Sequence, residues 1–258
     1  MQLPYFEQHE GAGPALLMVH GFLSSRAHWL ANLAALKRVC SPVIVELFGH
    51  GRSASPSNPA SYLPDAYIAA FETIREQLAI DRWSLLGYSL GASLTLRYSL
   101  MHPTRINAQV FTNSTSAFAD ANIAEHFKKN GEALIQQYES GGMAAIDAIA
   151  VHPRHAKRIP EPWISHLLAD CQQLNPGGIG RTLVHTNGNA SVRDLVSTNQ
   201  VPTLLIQGKR EARFEPYRRY AEATMPHLEI LQVDAGHAVN LEDISGFNTA
   251  ITGFLQRH

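Results

Sequence analysis

Ser89 lies between Gly87 and Gly91 in the stretch LLGYSLGAS, residues 85–93, with an apolar run before it and a helix-like run after it. A strand that turns sharply into a helix strains the residue at the turn, and side chains on either side of it would collide with neighbouring elements. Glycines remove that crowding. Ser89 then reads as the exposed tip of a nucleophile elbow, its hydroxyl near a helix start whose positive end favours developing negative charge. G-x-S-x-G also occurs as an ordinary turn, so the reading depends on partners. A serine hydroxyl is a poor nucleophile at neutral pH and needs an imidazole base with an acid to orient it. Of thirteen histidines, His237 alone follows the last expected strand and precedes the last expected helix, in Asp234-Ala-Gly-His237. Amides to stabilise an oxyanion are expected from Leu90, directly after the serine, and from Phe22 in His20-Gly21-Phe22-Leu23, where Gly21 permits close approach. His20 is read as holding that loop by hydrogen bonds rather than as a reacting group.

These groups meet only if the elements between them are right. Short apolar runs at 15–20, 43–48, 83–88, 106–112, 203–208 and 228–234 read as strands, several apolar almost throughout, as buried parallel strands are. Helical stripes follow at 65–78, entered by Pro64, and at 91–102 and 242–255, with Pro103 ending the second. The alternation predicts an α/β fold: a mainly parallel sheet with helices on both faces. Between about 115 and 200 the rhythm changes to helical patterns without a good strand, so residues 1–114 and 202–258 are expected to form the core and 115–201 a helical cap.

Composition narrows the function. The formal net charge of −1 supplies no basic face for nucleic acid. The two cysteines, Cys40 and Cys171, match no metal spacing and suit free thiols in a reducing compartment. The N-terminal stretch lacks a secretory pattern, and no run of about 18 apolar residues occurs, so a cytoplasmic protein with no membrane span is expected.

Five motifs in order, HGF at 20–22, ELFGHGRS at 46–53, GYSLG at 87–91, LLIQG at 204–208 and AGH at 235–237, resemble the α/β-hydrolase superfamily over nearly the whole chain except the cap. In that pattern the acid follows a glycine and two residues, which falls on Glu211 in Gly208-Lys209-Arg210-Glu211. Asp234, Asp120 and Glu125 remain alternatives, and the plainer reading of Glu211 is a surface charge beside Lys209, Arg210 and Arg213. Glu46 stands where relatives usually carry Asp and is expected to shape a loop. A serine rather than an aspartate at the elbow argues against the haloalkane dehalogenase and epoxide hydrolase branches.

The resemblance implies a serine hydrolase acting on a small carboxylic ester; no metal or cofactor is expected, and the sequence leaves monomer and homodimer both open. Gly21, Tyr88, Arg213 and Trp163 are the expected substrate contacts. Arg154, Lys157 and Arg158 in the segment 152–163 suit a substrate carboxylate or a solvated helix face, and the His152/His155 pair is a weak metal signal. Within the superfamily the chain also resembles the group containing SHCHC synthase and the meta-cleavage-product C–C hydrolases, which implies a lyase or C–C hydrolase using the same residues. The synthase pattern, however, has an arginine where this chain has Ser93. A non-catalytic binding protein is the third reading.

Overall fold

A computed structural model of the chain describes residues 2–258, apart from the side chains at 123, 124, 127 and 128. Seven strands, β1 (Phe6–Gln8), β2 (Ala15–Val19), β3 (Ser41–Val45), β4 (Trp83–Gly87), β5 (Ile106–Thr112), β6 (Thr203–Gly208) and β7 (Leu228–Val233), form one sheet in the order β1-β3-β2-β4-β5-β6-β7. Only β1 runs antiparallel, against β3. The helices are α1 (Leu30–Leu36), α2 (Pro64–Gln77), α3 (Leu90–Met101), α4 (Ala121–Asp147, interrupted at Gly142), α5 (Trp163–Cys171), α6 (Pro176–Arg181), α7 (Glu215–Thr224), α8 (Val239–Glu242) and α9 (Ile244–Leu255).

Both faces of the sheet are covered, which explains why the central strands read as unbroken apolar runs. Leu16, Met18, Leu86, Val110 and Ile206 point to the face packed by Phe247, Ile251 and Phe254 of α9. Leu17, Val19, Val43 and Leu85 point to the other, against Phe71 and Ile74 of α2 and Leu94 and Tyr98 of α3. Each such side chain, fully buried, contributes about 1.5–3 kcal/mol. Pro64 occupies the first turn of α2, and Ile68, Phe71 and Ile74 form its buried stripe.

The second expected run, 43–48, is shifted: the strand is Ser41–Val45, and the chain leaves the sheet at Glu46. The Glu46 carboxylate is fully buried and accepts from the amides of Arg26 (3.1 Å) and Arg52 (2.7 Å), tying two loops together, while Leu47 and Phe48 stay buried without being strand. β1, at three residues, carries no readable period.

The strand order places the carboxyl ends of β4, β6 and β7 along one rim, with β5 between β4 and β6. In open parallel sheets this rim is where ligands bind. Over it lie α4, α5 and α6, whose Ile146, Cys171 and Ile179 pack on Leu23 from the loop after β2. Among the described residues, no helix is long and apolar enough to cross a membrane.

Candidate active site

Ser89 adopts φ 51° and ψ −114°, a region that side-chain-bearing residues avoid and that typically costs about 1–3 kcal/mol. The surroundings impose it. A Cβ on Gly87 would enter the Ala92 backbone and the Thr95 side chain, and one on Gly91 would strike the carbonyls of Val19 and His20. Although Ser89 precedes α3, its hydroxyl does not cap that helix. It points instead to His237, with Ser89 Oγ 3.1 Å from His237 Nε2. On the other side of the imidazole, Glu211 Oε2 lies 3.6 Å from Nδ1, ion-pair range and slightly too long for a direct hydrogen bond. The imidazole beside it holds the Glu211 carboxyl below its ordinary value, against burial, which acts in the opposite sense. With a carboxylate facing Nδ1, the proton belongs on Nδ1, leaving Nε2 to accept from the serine hydroxyl.

The other carboxylates weighed from the sequence lie elsewhere. Asp234 is exposed and pairs with Arg210, Asp120 caps α4 by accepting from Asn122 N at 3.1 Å, and Glu125 is exposed on α4.

The loop after β2 is held by two buried neutral histidines. His20 Nδ1–H donates to Gly21 O (2.8 Å) while Nε2 accepts from Leu47 N (3.0 Å). His50 Nδ1–H donates to Phe48 O (3.0 Å) while Nε2 accepts from Leu23 N (3.2 Å). Their tautomers follow from these partners. Gly21 passes so close to Ser89 and the Tyr88 ring that an added Cβ would come within 3.0 Å of both. Among the described residues, the amides of Phe22 and Leu90 have no hydrogen-bond partner.

A family model of the alpha/beta hydrolase fold matches residues 14–141. The structure resembles MenH from S. aureus, with a TM-score of 0.85 at 17% identity, covering 98% of each chain. It also resembles an esterase (EaEST) from Exiguobacterium antarcticum, with a TM-score of 0.80 at 17% identity, covering 98% of this chain and 95% of that one. The chain belongs to the alpha/beta hydrolase superfamily. In sequence it is similar, at 24% identity over 96% of its length and 93% of the relative's, to a protein of Bacillus subtilis (strain 168) that bears the provisional name 2-succinyl-6-hydroxy-2,4-cyclohexadiene-1-carboxylate synthase.

In this hydrolase-fold chain a cavity of about 650 Å³ opens beside the Ser89–His237 pair, lined by Tyr88, Glu211, Arg213 and His237 and, along one wall, by the loop from Ala150 to Ile159. A second cavity, of about 610 Å³, lies against α4 near Arg181 and contains none of these residues. Asp147 anchors the loop by pairing with Arg154 (2.7 Å) and by accepting from His155 Nε2 at its carbonyl (3.0 Å). Lys157 and Arg158 line the cavity with Arg213, and none of the three forms an ion pair among the described residues. Glu242, on the same wall, is engaged by the amides of Gly236 (2.8 Å) and Ala238 (3.4 Å). Trp163, an expected contact, packs beside Ile159 on the Leu167–Leu241 cluster and is not a lining residue. Among the described residues, no group of three or more metal-ligating side chains assembles, and His152 uses Nδ1 to accept from Arg154 N.

Two residues of the site carried no signal that sequence reasoning used. His28 stacks on Tyr88 at 3.8 Å and lines the cavity. Asn113, just past β5, accepts from Gly208 N (3.3 Å) and donates to Gly236 O (3.2 Å). A lone amide closing an apolar strand was the only clue to it.

Burial drives down the pKa of three histidines around the site: His50 to about 4, His28 to about 3, and His20 well below 6.5. In the unfolded chain they take up protons below about 6.5, whereas the folded protein resists, so their contribution to stability is complete above that pH and is lost as the pH falls toward 4. The melting temperature is therefore expected to drop steadily between pH 6.5 and 4, several degrees in all, when followed by circular dichroism; a flat profile over that window would contradict the neutral assignment.

Proposed function

We propose that the protein is a serine hydrolase of small carboxylic esters. His237 takes the Ser89 proton, Ser89 attacks the ester carbonyl carbon, and the oxyanion rests on the amides of Phe22 and Leu90. The alcohol leaves with the proton from His237, and water, activated by the same imidazole, releases the acid from the acyl-enzyme. The observation that carries this reading is the 3.1 Å contact between Ser89 Oγ and His237 Nε2 at a backbone position with φ 51°. Unpartnered amides on either side support the oxyanion assignment, each such donor being worth about 3–4 kcal/mol in comparable sites. Residues 115–201 then act as the cap whose 150–159 loop selects substrate. Three cations, Lys157, Arg158 and Arg213, against two carboxylates, Glu211 and Glu242, line the cavity and favour an ester whose acyl part carries a carboxylate.

The likeness to the Bacillus subtilis protein favours a second reading, elimination or C–C cleavage by the same side chains. Against it stands Ser93, buried and bonded to Ser116 (2.8 Å) and Ser114 (3.2 Å), which leaves no cation at the position where the resemblance would require an arginine.

The test combines a fluorophosphonate probe with two esters, p-nitrophenyl butyrate and p-nitrophenyl hemisuccinate. Labelling at Ser89 and turnover of both, with the hemisuccinate favoured about tenfold or more in kcat/KM, is the expected result. Folded protein that is neither labelled nor active on esters overturns the hydrolase reading. Labelling with equal rates on the two esters removes only the carboxylate preference.

A further inference from the structure

We propose that Asn113 is the positioning residue that sets the His237–Glu211 pair against Ser89, an inference that rests on the hydrolase reading above. The backbone ladder between β5 and β6 ends at Thr112 paired with Ile206, while that between β6 and β7 runs on to Gly208 paired with Val233. Past the last β5 pair, the Asn113 side chain continues the ladder. Its Oδ1 accepts from Gly208 N (3.3 Å) and its Nδ2–H donates to Gly236 O (3.2 Å). Gly208 begins the turn that carries Glu211, and Gly236 directly precedes His237.

The two loops are already tied to each other by Lys209 N to Val233 O (3.0 Å) and Arg210 N to Ala235 O (2.9 Å). Those bonds fix the acid and the base as a unit and say nothing of where the unit sits relative to the nucleophile. β5 does, because its other neighbour is β4, with Gly87 paired to Phe111 two residues before Ser89. Asn113 is thus the side chain that references the acid–base loops to the strand bearing the serine. It is 1% exposed and lies outside the cavity lining, so it acts through Glu211 and His237 rather than on substrate. Both of its functions are needed at once: an aspartate keeps the acceptor for Gly208 N but sets a carboxylate against the Gly236 carbonyl, and an alanine keeps neither.

Asn113→Asp and Asn113→Ala are the variants, each checked for folding by circular dichroism. Two readouts separate positioning from support of the fold: kcat and KM on p-nitrophenyl acetate, and the nitrogen NMR shifts of the His237 ring in the substrate-free protein, which report the ring nitrogen that carries the proton. Expected are a fall in kcat of about 10- to 100-fold with KM changed by less than about twofold, and a ring that passes from one tautomer to a mixture. If the wild type turns over no ester, the hydrolase reading fails, yet the ring tautomer still decides the role of Asn113. Variants that fold and keep both readouts, or that fail to fold at all, assign the amide to the scaffold and overturn the proposal.

Discussion

Ser89→Ala is expected to lower kcat on p-nitrophenyl butyrate by roughly 10^5- to 10^6-fold, the scale seen when a serine nucleophile is deleted from an intact acid–base pair. The loss is chemical rather than structural. Alanine keeps a Cβ at the strained position, so the backbone cost stays as it is, and the hydroxyl caps no helix, so α3 loses nothing. The melting temperature of the variant therefore stays close to that of the wild type while turnover and probe labelling vanish together. Equal rates in the two proteins would refute the assignment outright, because the hydrolysis would then belong to some other group.

Glu211→Gln carries the second largest effect. The amide is nearly isosteric, so the geometry of the loop after β6 survives, but a neutral group no longer compels the Nδ1 proton and cannot stabilise the imidazolium that forms when His237 takes the serine proton. A drop in kcat of about 10^4-fold follows by comparison with the same change of acid in other serine enzymes. The contact of 3.6 Å is long for a hydrogen bond, and such contacts tighten as substrate binds. The matched controls are Asp234→Asn, Asp120→Asn and Glu125→Gln, each expected to stay within about twofold of wild type because these side chains pair with Arg210, cap α4 or face solvent. A loss at Asp234→Asn equal to that at Glu211→Gln would show that a different carboxylate orients the base.

What could be read from the sequence is what depends on local rules. The elbow is legible because Gly87 and Gly91 answer clashes with residues nearby in space that any strand–turn–helix would bring there. Five of the six expected strands lie within a residue of where the runs placed them; burial on both faces makes the central β2, β4 and β6 mostly apolar, whereas the edge strand β7 is half exposed and alternates Leu228, Ile230 and Gln232 with Glu229, Leu231 and Val233. Glu211 is legible by its spacing from the end of β6 in the family pattern. The failures have separate causes. The run through Glu46, Leu47 and Phe48 looked like strand because it is buried, yet a carboxylate bonded to two loop amides turns the backbone away. The pattern of α7, EPYRRYAEAT, is dominated by charges that pair along the helix surface, Arg218 with Glu215 and Glu222 among them, and leaves too thin an apolar stripe to notice. His28 on Tyr88 and Asn113 between Gly208 and Gly236 depend on which strands become neighbours, information that no window of sequence contains.

The wall formed by residues 150–159 hangs from Asp147 and shares no strand with Ser89 or His237. If the proposed reading holds, part of the selectivity sits on a stretch of ten residues that can vary apart from the reacting groups, while Arg213, two residues from Glu211, ties the rest of it to the core.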